Sequence, residues 1–234
     1  MLGSLFAFVS NGLIAAYLFG AAIPGTHRVI TPESFGMVEI APRIWTDAPT
    51  RGPELLNLVS AARTQVGTFF GDAPASPTMI LCSKQACATA FGIGGNGLSM
   101  ADVAVMVSPG GLTLGTLTHE LTHSRLHRKM GLRNIVQQPY PTWFDEGLAT
   151  HLADHPKWVG RITQNHRNRI LEIEHSWQLA DAFDELGVGR TYRGAAMEVA
   201  KIESNIGRAG LLELIARAEA GERFETVLTE LRSR

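Results

Sequence analysis

The feature that most constrains this chain is a pair of histidines four residues apart, His119 and His123, in the sequence His-Glu-Leu-Thr-His. From Thr113 onward the pattern is helical, with an apolar face formed by Leu114, Leu117, Leu121 and Leu126. Because an α-helix turns once in about 3.6 residues, both imidazoles can reach one ion. Glu120 lies about 100° round the helix, where its carboxylate can hold a metal-bound water and take its proton. The spacing therefore predicts two metal ligands and a general base.

The motif also has a structural interpretation, in which buried histidine and glutamate side chains satisfy one another without a metal. The leucines of the same helix indicate that it packs into the protein, and buried polar side chains need partners. A buried polar cluster without a metal would be costly. Zinc is therefore the favoured interpretation of this helix.

A second segment, Trp-Phe-Asp-Glu-Gly-Leu-Ala at residues 143–149, contains a candidate for a third ligand. A catalytic zinc has three protein ligands and keeps one position for water, and Glu146 is the best candidate for the third. Gly147 permits a close helix approach. Asp145 is expected to point away from the metal unless its carboxylate hydrogen-bonds to one of the metal ligands. Taken alone, Glu146 would be interpreted as a solvated acid at a helix N-terminus, favoured by the helix dipole, but beside the His-Glu motif the ligand interpretation is preferred.

Together the two segments resemble the gluzincin metallopeptidases, most closely the bacterial peptidase-MA-like domains. The resemblance covers roughly residues 82–210 and is strong in the two motifs. It implies that His119, His123 and Glu146 bind one zinc ion and that Glu120 is the catalytic base. It also implies a zincin-like fold.

Tyr192 is the candidate for a second catalytic residue. It follows a glycine-rich turn and is expected at the start of a helix. Related enzymes use a Tyr or His from the C-terminal lobe to stabilise the oxyanion, and a phenol donor suits that role. Tyr192 can also be an amphipathic core residue, and Arg193 is a weaker alternative donor.

Two departures from the related enzymes matter. The chain lacks the Gly-Ala-Met-Glu-Asn sequence with which aminopeptidases capture a free amine, so we expect an endopeptidase. Thr150 stands where thermolysin-like enzymes have a supporting Asp, so Asp154, His151 or a backbone carbonyl would have to orient a ligand imidazole. His127 lies about 12 Å along the helix from His119, which is too far to share its ion. It is expected at the surface or in contact with a metal ligand without binding the metal itself.

The first half of the chain predicts strands alternating with helices. Runs rich in apolar or β-branched residues predict strands at 37–45, interrupted by Pro42, at 78–81 and at 103–107. Helical spacing predicts helices at 53–70 and near 85–91, with a flexible loop at 92–97. We expect residues 103–107 to form an edge strand along the cleft, where an extended peptide binds by strand addition.

The second half predicts helices only. The His-Glu helix should end at Gly131, a loop should follow at 134–142, and the next helix should span 143–154 before Pro156. Helical periodicity then continues to Arg234, broken at 187–189 and 207–210. This order is the α+β layout, so we expect one domain over 37–234, with an α/β lobe at 37–131 and an all-helical lobe at 132–234. The cleft between these two lobes is the expected site.

The first 26 residues contain no Asp, Glu, Lys or Arg, and residues 5–23 are apolar apart from Ser10 and Asn11. That length can span a bilayer, or it can be a signal peptide cleaved after small residues, although a basic n-region is missing. A buried N-terminal helix is the third alternative. We expect an exported protein, periplasmic or anchored to a membrane through residues 5–23.

Cysteine content and charge add limits on compartment and partners. Cys82 and Cys87 can close a small disulfide in an exported protein, and would be two buried thiols in the cytosol. A formal net charge of -1 does not suggest nucleic acid as a partner. The expected partner is a peptide or protein substrate.

The favoured function is therefore a zinc-dependent endopeptidase, and two alternatives compete with it. One is a membrane-tethered binding or assembly protein that keeps a metal-stabilised scaffold without turnover. Glu120 argues against it, because a structural site has no use for a base and closes all four positions with protein ligands. The other, an intramembrane protease, is disfavoured by the charged residues Arg125, His127 and Arg128 beside the motif.

Overall fold

The computed structural model describes residues 26–72, 75–128, 138–153 and 160–234. The described chain is mixed α/β, with a small five-stranded sheet near the N-terminus and a mostly helical remainder. The apolar leader, Asp154 and Pro156 lie outside the described residues. Within those residues, no helix is both long enough and apolar enough to cross a membrane.

The sheet has the strand order β1-β2-β3-β5-β4. Its strands are β1 (Val38–Ala41), β2 (Ile44–Thr46), β3 (Thr78–Leu81), β4 (Gly97–Met100) and β5 (Ala104–Val107). The three inner strands are parallel to one another, and both outer strands are antiparallel to their neighbours. The strand predicted at 37–45 is a hairpin, because the chain turns after Pro42 at Arg43, whose φ is 65°. The Arg43 N–H there donates to Glu39 Oε1 at 2.7 Å.

The prediction that residues 103–107 form the edge strand is wrong. β5 lies between β3 and β4, and all four of its residues are buried. An uninterrupted apolar run is typical of a strand covered on both faces, which explains this central place. The outer strand is β4, whose residues are half-buried and whose first residue, Gly97, falls in the predicted loop.

Most predicted helices form close to their expected bounds. They are α1 (Gly52–Phe70), α2 (Gln85–Ala90), α3 (Leu114–Leu126), α4 (Thr142–Ala153), α5 (Gln164–Leu171), α6 (Leu179–Leu186), α7 (Val188–Glu219) and α8 (Phe224–Arg232). The expected breaks at 187–189 and 207–210 are present, since Gly187 has φ 81° and Gly207 has φ 71° inside α7.

Helix α3 carries the His-Glu motif and ends earlier than predicted. It begins where the Thr113 hydroxyl accepts the Thr116 N–H at 3.2 Å, a standard N-cap. The backbone leaves the helical conformation at His127, with φ -93° and ψ 0°. The predicted end at Gly131 is therefore wrong, and the helix stops at Leu126.

The alternation of side chains along β3 and β5 places core residues on both faces of the sheet. Met79, Leu81, Val105 and Val107 pack into the larger core, together with buried residues of α1, α3 and the C-terminal helices. Ile80 and Met106 face a smaller core on the other side. Cys82 belongs to that smaller core and forms a disulfide with Cys87 of α2. Helix α3 is thus fixed against the sheet, with its histidines near β4.

Candidate metal centre

Helix α3 brings the imidazoles of His119 and His123 together on one face. Both residues are buried, with 6% and 7% of their surface exposed. Their Nε2 atoms lie 3.1 Å apart, and the rings meet edge to face. The predicted pairing of these two histidines is present in the fold.

Helix α4 crosses α3 and supplies the third donor. Glu146 Oε2 lies 3.3 Å from the Nε2 atom of His119 and 3.3 Å from that of His123. In a tetrahedral site with bonds of about 2.0–2.1 Å, ligand atoms are about 3.3–3.4 Å apart. With separations of 3.1, 3.3 and 3.3 Å, the three donors are close to this spacing, and the group can hold a metal ion.

Burial and charge at Glu146 also fit a cation. Its Oε2 atom is buried and makes no hydrogen bond to the described residues. Burial alone raises the pKa of Glu146, but the charges of His123 and His119 outweigh it and lower the pKa to about 2. The group is thus an ionised carboxylate aimed at two ring nitrogens. A positive ion between these atoms would bind Oε2 directly and so replace the hydrogen bond that this buried oxygen lacks among the described residues.

Asp145 does not point away from the site. Its Oδ1 atom lies 3.0 Å from His123 Nδ1, and its Oδ2 atom lies 2.7 Å from His127 Nε2. Burial raises the pKa of Asp145, but the neighbouring charges of His127 and His123 hold it well below its usual range. Asp145 therefore lies between His123 and His127 and contacts both rings.

Of the alternative supports named from the sequence, His151 does not take that position. His151 Nε2 pairs instead with Glu203 of α7 at 2.8 Å, and Asp154 lies outside the described residues. Thr150 is buried, as expected for an inward position of α4. His123, His127 and Asp145 also lie close enough to hold an ion, but their 2.7 and 3.0 Å contacts are ordinary hydrogen-bond lengths.

Glu120 lies beside the two histidines, with 8% of its surface exposed. Burial is the largest influence on this carboxyl and raises its pKa, while the adjacent imidazoles lower it. A carboxylate with a raised pKa is a better proton acceptor, which suits a general base. The side chain lies directly against the backbone of Gly97 in β4.

Tyr192 is placed near the same group by helix α7. Its ring meets His119 edge to face, with centroids 5.7 Å apart, and it also packs against Phe183 at 5.4 Å. Burial and the charges of Glu146 and Glu120 raise the pKa of its phenol, so the hydroxyl stays protonated and can donate a hydrogen bond. Arg193 is exposed, so it is the weaker candidate donor.

One pocket of about 330 Å³ is lined by the site residues His119, Glu120, His123, His127, Asp145, Glu146 and Tyr192. Besides the site residues, its walls include the β4 segment Gly97, Leu98 and Ser99, and the polar residues Gln138, Thr142 and Ser176. None of these six was a candidate from sequence. In the sequence, the only indication of β4 was the glycine-rich stretch that precedes it. No sequence pattern indicated that Ser176 lines the pocket.

No protein-family model matches this chain, and a search of curated proteins finds no match either. Inference about its activity therefore depends on the chemistry of the pocket and on the two sequence motifs.

Proposed function

We propose that this protein is a zinc-dependent endopeptidase of the gluzincin type. The observation that carries the proposal is the set of three donor atoms, on His119, His123 and Glu146, separated by 3.1–3.3 Å and exposed to one pocket. Three protein ligands leave a fourth position open, as in catalytic zinc sites, whereas structural sites are closed by four protein ligands. Two imidazoles and one carboxylate suit zinc in this geometry.

The roles of the residues follow from their positions. When bound, zinc would polarise the scissile carbonyl and make water a stronger acid. Glu120 takes the proton from the attacking water and then delivers it to the leaving amine. The Tyr192 hydroxyl, protonated and beside the same pocket, donates a hydrogen bond to the oxygen where negative charge develops. Asp145 holds His123 in the ring orientation that turns Nε2 toward the site.

Strand β4 is the proposed binding edge for an extended peptide. Its outer edge pairs with no strand among the described residues, and three of its four residues line the pocket. A substrate added antiparallel or parallel to β4 would run past Glu120. In this proposal the cleft of a zincin-like fold lies between the α/β lobe at 37–131, which contains β4 and α3, and the helical lobe at 132–234.

The acidic residues of the pocket favour cleavage inside a chain. Within the described residues that line it, the carboxylates are Glu120, Asp145 and Glu146. Each of them has a role in the proposed centre, so none is left to bind the free amine of a substrate's N-terminus. This supports an endopeptidase and agrees with the absence of the aminopeptidase motif from the sequence.

Export is part of the same proposal. The Cys82–Cys87 disulfide is typical of proteins in oxidising compartments, such as the periplasm or the cell exterior. The apolar leader at 5–23 would then direct secretion or anchor the protein to a membrane, with the site facing outside the cytoplasm.

The proposal is tested by measuring zinc content and hydrolysis of an unstructured protein by wild type and Glu120→Gln. We expect both proteins to hold one zinc ion and the variant to be slower by at least about 100-fold. The control is Glu225→Gln, which removes an exposed acid of α8 and should act like wild type. Zinc in both proteins with equal activity, or with none in either, would favour the metal-stabilised binding protein instead.

A further inference from the structure

We infer that Gly97 of β4 is a positioning residue for Glu120, and that its missing side chain provides the space that the carboxylate occupies. The inference deepens the proposed function and rests on it. A Cβ atom built on Gly97 would lie 2.6 Å from Glu120 Oε1, 2.7 Å from its Cγ and 2.9 Å from its Cδ. Non-bonded carbon atoms normally stay about 3.5–4.0 Å apart. No side chain at position 97 can therefore coexist with this placement of Glu120.

Backbone freedom is not the reason for a glycine at this position. Several glycines of the chain have positive φ, a conformation that favours glycine, but Gly97 is not among them. It has regular strand pairing, opposite Val107 in the β4–β5 ladder. The structural reason for a glycine at position 97 is therefore its close contact with Glu120.

The strand cannot easily retreat to make room for a larger residue. Just before Gly97, the carbonyl of Asn96 accepts the Ser108 N–H at 2.9 Å. Gly111 packs so closely on that carbonyl that a Cβ there would lie 1.9 Å from the oxygen. These contacts hold the start of β4, whereas the Glu120 side chain can change rotamer. The carboxylate, rather than the strand, should move when position 97 gains a side chain.

Because the Glu120 side chain moves more easily than β4, a side chain at position 97 should reduce catalysis much more than it reduces stability. Turning one side chain leaves the backbone and the metal-binding group in place. Proton transfer, in contrast, needs the carboxylate within about 2.6–3.2 Å of the water, and a misplacement of about 1 Å can reduce the rate about 100-fold. Gly97→Ala should therefore be a stable, zinc-containing protein with a low kcat.

The test compares Gly97→Ala with Gly94→Ala and Gly95→Ala, whose Cβ atoms would meet nothing within 4 Å. Zinc content, Tm, kcat and KM are measured for each on the same unstructured protein substrate. We expect about 100-fold lower kcat for Gly97→Ala alone, with KM, Tm and zinc content close to wild type. A rise in KM with unchanged kcat would show instead that position 97 acts on substrate binding, and would overturn the inference.

A second comparison tests whether the effect passes through the carboxylate. In the Glu120→Gln background, Gly97→Ala should lower the residual rate little further, because the base is already absent. The same loss in both backgrounds would contradict the inference. A crystal structure of Gly97→Ala gives a readout independent of turnover, and should show the Glu120 carboxylate turned away with β4 in place. A displaced β4 with Glu120 unmoved would refute the inference, whereas an inactive wild type would refute only the peptidase function.

Discussion

Among the residues around the proposed metal ligands, Asp145 gives the clearest test, because it hydrogen-bonds to two histidines. It joins His123 and His127, with contacts of 3.0 and 2.7 Å, and so fixes the ring nitrogen of His123 that faces Glu146. Asp145→Asn keeps the shape but loses the charge. We expect about 10–100-fold weaker zinc affinity, measured by competition with a chelator. Asp184→Asn, a change of the same kind outside the pocket, should leave affinity unchanged.

The second prediction for a single residue concerns Tyr192, whose proposed role depends on its hydroxyl group alone. Tyr192→Phe keeps the ring packing on Phe183 and His119 but removes the donor. We expect kcat to fall about 100-fold with KM little changed, as when one oxyanion donor is removed. Tyr140→Phe is the matched control, since that hydroxyl contacts Glu219 and does not line the pocket. Full activity in Tyr192→Phe would leave the residue a packing role only.

At the scale of elements, the crossing of α4 and α7 depends on Gly147. A Cβ there would lie 2.7 Å from the backbone oxygen of Ala195, so the two helices would have to separate. Gly147→Ala should lower stability by about 1–3 kcal/mol, measured by denaturant unfolding. It should also weaken zinc binding, because Glu146 precedes it on the same helix. Gly94→Ala is the control, and unchanged stability in Gly147→Ala would contradict the tight crossing.

The helices were easier to predict than the sheet order for physical reasons. Helical pairing of His119 and His123 depends only on local geometry, so the sequence was sufficient. The orientation of Asp145 depends on how α4 crosses α3, which no local pattern encodes. β4 was missed because its Gly-Leu-Ser-Met sequence has weak strand propensity, and its strand pairing comes from β5. The place of β5 inside the sheet, in contrast, was open to prediction, because its uninterrupted apolar run is typical of a strand covered on both faces.

At the scale of the whole molecule, Arg125 links distant parts of the chain. It lies on α3 with 9% of its surface exposed. Its guanidinium contacts Asp72, just after α1, at 2.8 Å, and Glu219, at the end of α7, at 3.3 Å. It also lies 4.7 Å from the centre of the Phe70 ring. The α/β part and the last turn of α7 are therefore joined through the helix that carries the proposed ligands.

Removing this guanidinium should destabilise the fold more than it affects the chemistry. Arg125→Met keeps an apolar stem but removes the guanidinium that contacts Glu219, a buried carboxylate. We expect a loss of about 3 kcal/mol in the free energy of unfolding, at the lower end for a broken buried pair because Asp72 is partly exposed. At temperatures where the variant stays folded, its zinc affinity should match wild type, since Arg125 is not among the residues that line the pocket. Arg234→Met, which breaks an exposed pair with Glu213, should change stability by less than about 1 kcal/mol. Equal stability of the two variants would show that Arg125 does not hold the two parts together.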